Sequence, residues 1–142
     1  MKIDRYPLAF RLMSLLAIVF GFMTLRAGGM VLFTTGAEHQ AAGHFVPFVL
    51  IFNFSAGFAY LIAGIGLWAQ QRWAGWLALA IAVSTLLVFG AFVLHIMGGG
   101  AYEPRTVGAM TLRSAVWIAL TAGVFFIAHK EKAHKEKSAS ND

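Results

Sequence analysis

The chain of 142 residues contains no cysteine and only six acidic residues. Without a thiol there is no disulfide, no CxxC redox chemistry, no thiolate metal site and no iron–sulfur ligation. Histidine, methionine, carboxylate and backbone are the ligand types that remain. Charge as a whole is scarce: 12% of residues are Asp, Glu, Lys or Arg against 59% hydrophobic, with a mean hydropathy of +0.73. That balance is too apolar for an ordinary water-soluble domain and far from a disordered one. Sequence signatures of chemistry are also missing: there is no nucleophile elbow, P-loop, dinucleotide fingerprint or HExxH. Nucleic-acid binding is excluded as well, because the basic residues read as topology signals or as single charges within apolar runs.

What is present is four long apolar runs, at about residues 8–33, 45–69, 73–97 and 107–128. Each is long enough to cross a bilayer as a helix, and together they leave no polar face to meet water. They define a four-span transmembrane domain over residues 1–128, followed by a basic tail over 129–142, with no room for a separate catalytic domain. The first run has a basic start and exceeds the apolar region of a cleaved signal peptide, so it reads as a retained anchor. Lys2, Arg5, Arg11, Arg72, Lys130, Lys132, Lys135 and Lys137 all fall on one side of the membrane. The positive-inside rule makes that side cytoplasmic, which places both termini inside and the loops near 34–44 and 98–106 outside, in the periplasm of a bacterial cell. The localisation expected is therefore the bacterial inner membrane, multi-pass.

Lipid supplies no hydrophobic drive between helices, so contacts are expected from small residues that let backbones approach. Ala74, Ala78 and Ala82 form such a stripe, as do Ala115, Ala119 and Gly123, with shorter versions at Ala17 and Gly21 and at Ala59 and Ala63. The fold class that follows is all-α, an integral membrane antiparallel four-helix bundle, with Trp68, Trp73 and Trp76 as an aromatic belt at the cytoplasmic interface. In the tail, AHKEK at 128–132 is repeated at 133–137 and reads as a frayed, solvated helical extension.

Polar chemistry is concentrated toward the outer half. At about 1.5 Å of rise per residue, Arg26, Asn53 and Arg113 share a level with His95 just above them, one from each run. A charge facing lipid at midplane costs at least about 2.5–3.5 kcal/mol, so these side chains are expected to point inward. Glu38, Tyr102 and Glu103 would fold over the mouth, under a lid formed by GGGAYEPR, with Pro104 restraining the turn into the last run. One reading is purely structural, with Arg26 and Arg113 paired to Glu38 and Glu103. Another is a ligand pocket, in which Arg26 and Arg113 hold the head of a small amphiphilic, quinone-like molecule, Asn53 hydrogen-bonds it and His95 exchanges a proton. A third is a copper site drawing on His39, His44 and His95 with Met97 and Met110, thioether being a soft ligand for copper(I). A fourth is a non-catalytic accessory subunit that meets a membrane-protein partner or a second copy of itself.

The first run LAFRLMSLLAIVFGFMTLRAGG, the glycine-rich AGFAYLIAGIGLWAQQRWA with its basic turn, and the polar outer loop before the last run resemble the DoxX-like group of small bacterial membrane proteins. The resemblance spans most of residues 8–128 and implies a four-helix inner-membrane protein, in some members associated with quinone-linked oxidation. Were this chain part of an enzyme, the resemblance would make it a component of a quinone-linked oxidoreductase. Where that family often carries a glutamate in the second span, this chain has Asn53 within FNFSAGF.

Overall fold

Pro47 and Pro104 each stand at the start of a helix. In the computed structural model, which describes residues 7–141 apart from the side chains of Pro7 and Glu38, the elements are α1 (Pro7–Phe33), α2 (Ala37–Ala41), α3 (Pro47–Trp68), α4 (Arg72–Met97) and α5 (Pro104–Ala139). Proline suits a first helical position because its fixed φ is already helical and its missing N–H is one that the helix leaves unpaired anyway. The long elements α1, α3, α4 and α5 are each apolar and long enough to cross a membrane. The expected bounds hold to within a few residues at most ends. Lys2 and Arg5 lie outside the described residues.

The tightest packing joins α1 to α3. Ser14 Oγ donates to Gly64 O at 2.6 Å, the backbone at Gly21 lies against Gly57 and Leu61, and Gly28 lies against Phe54. Residue numbers rise along α1 as they fall along α3. Ser14, Gly21 and Gly28 are spaced by sevens, as are Gly57 and Gly64. A sevenfold spacing of small residues keeps one seam facing its partner along the whole contact. A Cβ at Gly64 would stand 2.6 Å from Ile18 Cγ1 and 3.2 Å from Ser14 O, so the seam needs glycine there.

Alanines fill the middle of the bundle, where Ala17, Ala56, Ala63, Ala78 and Ala82 surround the fully buried Tyr60 and Trp117, whose rings lie 4.7 Å apart. Ala74, Ala78 and Ala82 are buried as the stripe on α4 requires. Ala115 and Ala119 on α5 differ: both are exposed, and only Gly123 of that stripe meets another helix, at Met13 of α1. The expected α5 seam is thus left open along most of its length.

Two ends can be distinguished. At the turn end, α3 passes to α4 through Gln70 at φ 54, with Gln71 N–H donating back to Gly66 O at 2.8 Å. Trp68, Trp73 and Trp76 are all exposed there, and the Arg11 guanidinium lies over the Trp68 ring at 5.7 Å. At the loop end lie α2, the 98–103 loop and the start of α5. The helical extension expected of the tail is present, with α5 continuing to Ala139. At ~1.5 Å per residue that helix is roughly 54 Å long, well beyond a hydrocarbon core of about 30 Å.

Candidate functional site

A cleft of about 380 Å³ opens at the loop end between α1, α2, α3 and α5. Its walls are apolar, from residues such as Met30, Val31, Phe45 and Leu50, and its polar lining is Thr24, Asn53, Glu103, Arg105, Thr106 and Arg113. Asn53 is buried and Arg113 half-buried, and neither Asn53 Oδ1 nor Arg113 Nε has a hydrogen-bond partner. Buried polar atoms nearly always find partners, so two orphans among the residues of one cavity are unusual.

Behind Arg113 the polar character continues into the bundle. The Tyr60 hydroxyl of α3 faces Thr85 of α4 and both Arg113 and Trp117 of α5 without closing a hydrogen bond to any of them. This quartet could be found in the sequence only through spacing. Tyr60 follows Asn53 by two helical turns, and Trp117 follows Arg113 by one, so each pair shares a face.

The roof is made by loops fastened to the start of α5. Glu103 Oε1 accepts the His44 backbone N–H at 2.8 Å and packs on the backbone of Gly43, whose φ of 64 is in the left-handed region that favours glycine. Arg105 Nη2 donates to Ala41 O at 2.6 Å. Arg105 therefore joins the site, a residue that nothing in its sequence surroundings singles out. Counting lining side chains, Arg105 and Arg113 against Glu103 leave a balance of +1.

Of the residues expected here, the structure brings together Asn53, Glu103 and Arg113. Arg26 is exposed; at about 100° of turn per residue it stands roughly 130° round α1 from the mean direction of the cleft-lining Thr24, Ala27, Gly28, Met30 and Val31. His95 is committed to the α4–α5 loop, with Nε2 at 3.1 Å from Ala101 O, its ring on the Gly100 backbone and its edge toward Phe48. Tyr102 is exposed and meets Phe92 edge-on at 6.3 Å. The side chain of Glu38 lies outside those described.

The residues of the copper reading are dispersed. His39 Nδ1 sits at 2.8 Å from Val31 O with its ring against Phe45, while His44 is exposed. Met97 is exposed and Met110 is fully buried with Val46, Val49 and Phe92. Among the described residues no group of three or more His, Asp or Glu is close enough to hold a metal ion.

The cleft adjoins the open α1/α5 seam. A crevice of about 170 Å³ shares Thr24, Ala27, Ala109 and Arg113 with it and adds Phe20, Met23 and Leu112. Further along the same seam, Met13, Leu16, Ala115 and Ala119 line another of about 400 Å³. Comparison with protein-family models, with curated proteins and with solved structures finds no match to this chain.

Proposed function

We propose that this chain is a multi-pass protein of the bacterial inner membrane that binds a small amphiphile of the quinone type in the loop-end cleft. In this reading the bundle is antiparallel with both termini cytoplasmic, and the cleft opens to the periplasm. Support for the orientation comes from Arg11, Arg72 and Lys130 at or beyond the turn end and from the reversed order of α1–α3 contacts. The resemblance to DoxX-like proteins points the same way.

The observation that carries the ligand is the pair of unpartnered groups, Asn53 Oδ1 and Arg113 Nε, on one apolar-walled cavity. The excess of one positive charge suits an electron-rich head, such as a ring carbonyl, which the Arg113 guanidinium and the Asn53 amide would hold. The Tyr60 hydroxyl stands behind Arg113. A lipid-soluble tail would leave through the α1/α5 seam, where Ala109, Ala115 and Ala119 supply little bulk to block it.

The test is to purify the chain in mild detergent without chelator and to analyse both its organic extract and its metal content by mass spectrometry. The expected result is a co-purifying prenylated quinone or comparable amphiphile near one per chain, lost from Arg113→Ala while that variant keeps its thermal unfolding. An empty wild-type protein overturns the reading in favour of an accessory subunit. Stoichiometric copper overturns it in favour of metal handling.

A further inference from the structure

At the turn end, remote from the cleft, a cavity of about 540 Å³ separates the α3–α4 turn from the extension of α5. Phe10, Val124 and Phe125 form its apolar floor, with Trp76 meeting Phe125 edge-on at 5.4 Å where the cavity adjoins the lipid-facing surface. Its polar lining includes Lys132 and Lys135 together with Glu131 and Glu136. Glu131 is only 6% exposed, and its Oε2 has no hydrogen-bond partner.

The repeated AHKEK segment makes this burial unusual. Glu131 and Glu136 hold the same place in the two copies, yet Glu136 is exposed. Five residues advance a helix by about 140°, so equivalent positions in the two copies face different directions. The first copy turns its glutamate inward, and Lys135 follows it one turn later on the same face. A buried carboxylate oxygen and an ammonium one turn apart present opposite charges above an apolar floor.

We propose that this cavity is a binding site for an aminophospholipid headgroup. Lys132 and Lys135 take the phosphate, Glu131 Oε2 accepts from the primary ammonium, and the acyl chains leave past Trp76 and Phe125 into the leaflet. A purely anionic headgroup leaves the Glu131 oxygen unpartnered. A choline headgroup brings a cation with no N–H to donate. A primary ammonium joined to a phosphate satisfies both sets of groups, and the cavity volume is in the range of ordinary ligand pockets.

The experiment is native mass spectrometry of the full chain in detergent doped with equal amounts of phosphatidylethanolamine, its N-methylated derivatives, phosphatidylcholine and phosphatidylglycerol. Retention of phosphatidylethanolamine is expected to exceed that of phosphatidylcholine by roughly tenfold, as loss of a charge-assisted hydrogen bond implies. It should fall stepwise with methylation. Glu131→Gln is expected to abolish the preference while unfolding at the wild-type temperature in lipid-free detergent. Lys132→Ala with Lys135→Ala should weaken every phospholipid. Equal retention of ethanolamine and choline lipids, preference for phosphatidylglycerol, or a preference that survives Glu131→Gln each overturns the proposal. So does displacement of the lipid by soluble phosphoethanolamine at equal concentration, which would make the occupant a water-soluble phosphoamine. Should Glu131→Gln fail to fold, the methylation series on the wild-type chain decides alone.

Discussion

Helix α1 runs between α3 and α5 and meets them differently. Against α3 it presents Ser14, Gly21 and Gly28, and the two backbones approach until no side chain fits at Gly64. Against α5 it presents Met13, Leu16, Phe20 and Met23, and crevices remain along the seam. The first seam gains dispersion energy by excluding lipid completely, which is where a membrane bundle finds much of its stability. The second forgoes part of that energy, and its crevices lie beside Arg113. On the proposed reading the closed seam carries stability and the open seam the ligand, with Gly28 bordering both, so the two are separable by mutation.

The largest effect should come from filling the closed seam. Gly64→Leu drives carbon into the backbone of Ser14 and Ile18 and is expected to cost about 3 kcal/mol or more, enough to deplete folded protein. The matched change on the open seam, Ala119→Leu, is expected to stay within about 0.5 kcal/mol, since Ala119 is exposed. Thermal unfolding in detergent measures both. Equal costs would mean that the α1/α5 seam is closed by something in the membrane, and the comparison would fail.

Next in size are two changes that should separate binding from folding. Arg113→Ala removes a charge-assisted contact and is expected to reduce ligand retention by tenfold or more, in keeping with about 1.5–3 kcal/mol for such bonds. Ala109→Phe places a ring where the cleft meets the adjoining crevice and should reduce retention of a tailed ligand far more than that of a tail-less head analogue. Equal loss of both would locate the whole ligand within the cleft and leave the seam without a role.

Much of the fold was legible because span length and small-residue stripes are one-dimensional signals. Ala74, Ala78 and Ala82 pack as their spacing says. The same spacing at Ala115 and Ala119 misleads, because a small residue permits close approach without compelling it. The site was legible to the level of depth along each helix, which placed Asn53 and Arg113 together, and no further. Rotation is what depth leaves out: Arg26 shares their level but faces away from the cleft, and His95 is drawn to a loop carbonyl. Tyr60 and Trp117 carry no such signal, because an aromatic ring in an apolar run reads as packing, and only the assembled bundle brings the Tyr60 hydroxyl to both Arg113 and Trp117.

The smallest effect tests what holds the closed seam together. Ser14 Oγ donates to Gly64 O at 2.6 Å, and either this bond draws the helices together or the missing side chain at Gly64 lets them meet. Hydrogen bonds between membrane helices average about 0.6 kcal/mol, because the separated helix also finds partners for its polar groups. Ser14→Ala keeps the seam small and removes only the bond, so its cost should be near that figure and well below that of Gly64→Leu. A loss of several kcal/mol from Ser14→Ala would reverse the order and make the hydrogen bond, rather than close packing of backbone on backbone, the cause of the contact.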